Sequence, residues 1–79
     1  MKYIMFEDFS GAPIPIIFPG RINHDDMREQ MPYTRVLSAG YVQTRDGGFV
    51  CHGGSKALKT EARPEDAAII AERLEDPDA

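Results

Sequence analysis

Twice along this chain a run of β-branched and aromatic residues stops at a two-residue turn signal and then resumes. KYIMFED, from Lys2 to Asp8, gives way to Ser10-Gly11 and then to PIPIIFP; TRVLSAGYVQTR gives way to Asp46-Gly47 and then to GFVCHGG. Runs of this composition bounded by such turns read as antiparallel hairpins, and Asp-Gly is among the strongest short-range hairpin signals. In PIPIIFP the two-residue period puts Ile14, Ile16 and Phe18 on one face, while Pro13 and Pro15 lack amide donors that a central strand uses. The run therefore belongs at a sheet edge or beside a bulge. In the second hairpin Leu37, Ala39 and Tyr41 form one face and Val36, Ser38, Gly40 and Val42 the other. The small residues from Ser38 to Gly40 mark a bulge or make room for a helix packed close above.

Two segments carry helical patterns. RINHDDMREQMP opens on Asn23, a good N-cap, with Asp26 at the third helical position as a capping-box acid and Ile22 and Met27 placed for a hydrophobic staple. Met27 and Met31 share a face, and Pro32 ends the helix after about two turns. In RPEDAAIIAERLEDP, Pro64 fits the first helical position and Glu65 and Asp66 complement the positive end of the helix dipole. Ala67, Ile70, Ala71 and Leu74 then follow the spacing of a buried stripe. With a further short strand at Lys56 to Thr60, the reading is α+β: a small antiparallel sheet of four or five strands and two helices on one face, in the order ββαββ(β)α.

Size limits what else is present. At 79 residues with 42% hydrophobic content, positions 1–79 make one small domain with a limited core. The single cysteine forbids an internal disulfide, and no cysteine and histidine spacing matches a structural zinc site. Added stability would come from self-association, and Tyr3, Met5, Phe9 and Ile17 offer apolar surface beyond one sheet-helix interface, so a two-fold homodimer is expected. The net charge of -4 and pI of about 5.0 disfavour nucleic acid and anionic membrane surfaces and favour a basic protein partner. MKYIMFEDFSG has no signal-peptide core and no run reaches the roughly 20 apolar residues of a bilayer span, so a soluble cytoplasmic protein is expected.

The candidate chemistry is sparse. Cys51 and His52 are neighbours on a strand, so their side chains point to opposite faces and cannot act as a dyad. Cys51 shares a face with Phe49 and reads as a small buried hydrophobe. His52-Gly53-Gly54-Ser55 resembles the glycine-rich oxyanion loop of esterases, yet the G-x-S-x-G elbow is missing, and Gly-Gly-Ser-Lys lacks P-loop spacing. A glycine pair between short strands is explained by a turn that needs positive φ. His24, Asp25, Asp26 and His52 are the residues from which a metal site would be built. The helix dipole accounts for Asp25 and Asp26, and adjacent helical positions about 100° apart do not converge on one ion. Catalytic residues, cofactors and metals are accordingly not expected. Arg21, Arg28, Arg35 and Arg45 are scattered among acids rather than gathered into a groove.

KYIMFEDF, PIIFPGRINHDDM, VLSAGYV, CHGGSKAL and RPEDAAII together resemble small accessory proteins encoded by tailed phages and prophages. The resemblance spans most of the chain and implies a protein that binds and blocks a host protein, as anti-CRISPR proteins do. It transfers no functional residue.

The reading is thus a non-enzymatic protein-binding factor of the host cytoplasm, an inhibitor of a host defence complex. Its partner-binding surface is expected on the sheet face or on the acid-rich last helix, with Glu65, Asp66, Glu72, Glu75 and Asp76 as the binding residues. The alternatives are a small enzyme or metal-binding protein built on His24, Cys51 and His52, or a structural phage component.

Overall fold

The computed structural model describes residues 1–74. Its elements in chain order are β1 (Lys2–Glu7), β2 (Pro13–Phe18), α1 (His24–Gln30), β3 (Val36–Arg45), β4 (Gly48–His52), β5 (Gly54–Ser55), β6 (Thr60–Glu61) and α2 (Asp66–Leu74). The first four strands form one antiparallel sheet in the order β2-β1-β3-β4, and β5 pairs with β6 in a separate two-stranded sheet. The protein is α+β, as its sequence pattern predicts.

Both hairpin turns are built by the residues that signal them. Asp8 Oδ1 accepts hydrogen bonds from the Ser10 N–H (2.9 Å), the Ser10 hydroxyl (2.7 Å) and the Ala12 N–H (2.9 Å), while Gly11 sits at φ +89°. Those donors, the Ser10 hydroxyl first, hold the Asp8 carboxyl below the usual carboxylate range. In the second turn Asp46 and Gly47 both take positive φ, 53° and 81°, which matches the twist of the flanking strands. β2 lies at the sheet edge, where the missing amides of Pro13 and Pro15 cost nothing.

β1 is apolar at consecutive positions, and Tyr3, Ile4, Met5 and Phe6 are all 0% exposed. A strand with that pattern must be covered on both faces. Tyr3 and Met5 pack with Val42 and Ile70 on the side of α2; Ile4 and Phe6 pack with Phe18, Ala39, Met27 and Met31 on the side of α1. The helices therefore lie on opposite faces of the sheet, not on one. Ile14, Ile16 and Phe18 share the α1 side as their period requires.

The faces of β3 are reassigned by a bulge. Met5 pairs with Ser38 but Phe6 pairs with Val36, so Leu37 is the extra residue. Leu37 consequently joins Val42 on the α2 side and Val36 joins Ala39 on the α1 side. The expected strand at Lys56 to Thr60 is mostly turn: residues 56–59 reverse the chain between β5 and β6, with Lys59 at φ +56°. The turn places Leu58 against the α1-side core.

Asn23 caps α1 with its backbone only. Its side-chain amide donates weakly to Asp26 Oδ2 (3.4 Å), so no capping box forms. Met31 is extended ahead of Pro32 and ends the helix. In α2 Ile70 is buried, whereas Leu74 is 56% exposed, so the apolar stripe stops short of Leu74 and Ile69 packs on the core instead. Because α2 covers Tyr3 and Met5, and Ile17 packs beside them, the surplus apolar surface that favoured a dimer is largely used within the protein. Phe9 is 82% exposed, with its ring 5.1 Å from that of Tyr33. Among the described residues no helix is long and apolar enough to cross a membrane.

Gly40 marks the tightest approach in β3. A Cβ there would lie 2.6 Å from the His52 carbonyl oxygen and 3.2 Å from Ala62 Cβ, whereas one at Gly20 would meet nothing within 4 Å. Gly40→Ala should therefore lower unfolding free energy by about 1–3 kcal/mol in urea titration, while Gly20→Ala should stay within about 0.5 kcal/mol of the parent.

Candidate functional site

Polar chemistry collects in two places, one on each side of the sheet. The first is sealed beneath α2. Asp66, 0% exposed, receives on Oδ2 the hydroxyls of Tyr3 (2.5 Å) and Ser38 (2.6 Å) and the Arg63 N–H (2.9 Å). The Arg63 guanidinium reaches Oδ1 through Nε (3.0 Å) and Nη2 (2.9 Å). The Asp66 carboxylate thus reaches back to the Arg63 N–H as the acid of a capping box does, while the Asp66 N–H goes to the Arg63 backbone carbonyl (3.1 Å) rather than to a side chain, so the acid is half of a cap and also a core anchor.

Burial, the largest influence on the Asp66 carboxyl, works against its charge. The donors from Ser38, Tyr3 and Arg63 together outweigh burial and hold it below the usual carboxylate range. The same burial, with the Asp66 charge alongside, pushes the Tyr3 phenol strongly up. Burial likewise raises the Cys51 thiol, which packs half-buried on this side. A thiol so placed is a weak nucleophile. Every polar group here is committed to another, so the cluster anchors α2.

Asp66 therefore does not belong to a partner-binding surface: its carboxylate is wholly inside, and its charge is spent on β1, β3 and Arg63. Glu65 and Glu72 are exposed, as that reading of the helix requires. Glu75 and Asp76 lie outside the described residues.

The second place lies on the α1 side. Antiparallel register puts Phe18, Lys2, Tyr41 and His52 in one row across the sheet. His24 sits over this row, 6% exposed, its ring edge-on to Phe18 (5.5 Å) and to Tyr41 (5.9 Å); Tyr41 in turn stacks on His52 (5.7 Å between centroids, planes 18° apart). His24 Nε2 lies 3.0 Å from the Gly40 carbonyl, which only accepts, so Nε2 carries the hydrogen. Beside this row α1 and the β5 turn border an open cleft of about 360 Å³, lined by Lys2, His24, Asp25, Tyr41, Ser55 and Lys56 among others.

His24, Cys51 and His52 thus do not assemble into one site. The histidines flank Tyr41 on the α1 side and Cys51 faces α2. Among the described residues no group of three His, Cys, Asp or Glu side chains is placed to hold a metal ion. The sequence pattern singled out His24 and His52 but missed Lys2, Tyr41, Ser55 and Lys56, which meet only through strand register and the β5 turn. Tyr3, Ser38 and Arg63 were missed for the same reason. Compared with protein-family models, curated proteins and solved structures, the chain matches none.

The Asp66 anchor carries a pH signature. A carboxyl held below its unfolded value of about 3.9 contributes stability that is fully present above that value and is lost as pH falls through the folded value. Asp66→Asn should cost about 2–3 kcal/mol at neutral pH in urea unfolding, and its deficit relative to the parent should shrink as pH drops toward about 2. A deficit that stays constant with pH would mean that the carboxylate charge contributes nothing.

Proposed function

We propose that this chain is a non-enzymatic binding protein of the phage-accessory kind. It acts in the host cytoplasm and inhibits a host complex by docking on a basic protein surface, as anti-CRISPR proteins do. One observation carries the choice of surface. In this segment Arg63 is drawn to Asp66 and Arg73, itself exposed, donates through Nη2 to the Pro13 carbonyl (3.0 Å), while Glu61, Glu65 and Glu72 are exposed and outnumber it. Arg63 also approaches Glu65, at 3.8 Å, a half-exposed pair of little energetic weight. The outward charge is therefore acidic in a chain already at -4, a face that complements a cationic channel and speeds encounter with it.

The sealing of Asp66 narrows this surface without removing it, because its outward members are not part of the core. Charge reversal at Glu65 and Glu72 consequently separates binding from folding. The protein should capture a host protein that mass spectrometry identifies, and the isolated pair should weaken as salt shortens the Debye length from about 10 Å to about 3 Å. Glu65→Lys with Glu72→Lys should weaken it at least about tenfold with an unchanged unfolding midpoint in urea. Binding that ignores salt, or that survives the double reversal, overturns this surface.

A further inference from the structure

The α1-side cavity holds a feature that the folding of the chain does not account for. His24 is 94% buried by its 6% exposure, is fixed by Nε2 on the Gly40 carbonyl and by the rings on either side, and lines the cavity. Its Nδ1 has no partner among the described residues, yet no fully buried side-chain nitrogen or oxygen there is left unpaired. Nδ1 is therefore not wholly shielded from solvent, and His24 lines the cleft. With Nε2 carrying the hydrogen, Nδ1 presents a lone pair and asks for a donor.

Around that lone pair the lining is cationic, although the protein as a whole is acidic. Lys2 and Lys56 face one carboxylate, Asp25. Lys2 Nζ is positioned by donation to the Ile22 carbonyl (2.9 Å), which leaves further ammonium hydrogens for a ligand. Ser55 Oγ accepts from the Leu58 N–H (3.2 Å), so its own hydrogen remains to be given. Lys2, Lys56 and Ser55, which can donate, and His24, which can accept, line the same cleft.

We infer that this cavity binds a small phosphorylated molecule through its phosphoryl group, with Lys2, Lys56 and Ser55 donating to the phosphoryl oxygens and His24 Nδ1 accepting the hydrogen of the P–OH. A carboxylate fits less well, because at neutral pH it has no hydrogen to offer Nδ1 and only two coplanar oxygens for donors on different elements. A phosphoryl group close to its second pKa of about 6 keeps that hydrogen in its monoanionic form and brings additional oxygens, so the site favours the monoanion. The cleft is open and, at about 360 Å³, larger than a bare phosphate needs, which leaves room for the group's carrier. The site is on the opposite side of the sheet from α2, and it stands or falls separately from the acidic surface.

The test is an NMR titration with inorganic phosphate at constant ionic strength, chloride serving as the control salt. The readout is the His24 imidazole resonances. Saturable shifts with phosphate and none with chloride are expected. Lys56 and Asp25 are exposed, so Lys56→Gln and Asp25→Asn should leave the backbone spectrum of the fold intact. They should move affinity in opposite directions: Lys56→Gln weakens phosphate binding about tenfold and Asp25→Asn strengthens it several-fold. Unmoved His24 resonances in the parent, or affinity indifferent to both substitutions, overturns the site.

Discussion

The structure depends on one buried carboxylate. Asp66 is the first residue of regular helix in α2, and its oxygens tie that helix to β1 through Tyr3, to β3 through Ser38 and to its own approach through Arg63. Burying an isolated carboxylate is costly, and only a full set of donors makes it tolerable. Here the donors come from both central strands, so the register of β1 against β3 and the docking of α2 must be correct together. A small chain without a disulfide gains from this a single seating for its last helix. The apolar contribution of Ile70 and Ile69 drives the contact, and the carboxylate selects which contact forms.

The elements were legible because their signals are local. Ser10-Gly11 and Asp46-Gly47 lie within a few residues of the strands they join, and Pro32 acts on its immediate predecessor. The two-sided covering of β1 was also written in the chain, since Tyr3, Ile4, Met5 and Phe6 leave no polar face. With both faces of β1 apolar, the helices take opposite sides and Tyr3 and Met5 are consumed in the core. The bulge at Leu37 was not legible from alternation, because one extra residue exchanges faces without changing composition.

The sites were less legible than the fold, and for a physical reason. Asp66 has the sequence appearance of any acid in the first turn of a helix, like Glu65 beside it. What separates the two is that Tyr3 and Ser38, distant in sequence, stand where Asp66 points. The row of Phe18, Lys2, Tyr41 and His52 likewise exists only once three pairings of strands are set in register. Neither composition nor spacing along the chain encodes such a row.

Gly40 is where the two sides of the sheet come nearest to sharing a residue. Its carbonyl holds His24 Nε2 on the α1 side, while its Cα hydrogen occupies the gap left by the His52 carbonyl and Ala62, the residue that leads from β6 toward α2. Ala62 is itself held by its N–H on the Gly53 carbonyl (2.9 Å), and Gly53, at φ +71°, leaves room for the Tyr41 ring. The glycines of the β4–β5 corner thus serve close backbone approach. They let the chain fold back tightly enough that the β5 turn borders the cleft beside His24 and that the segment beyond β6 reaches Asp66 from the other side. A larger residue at this corner would disturb the cavity and the anchor together, although the two share no polar contact.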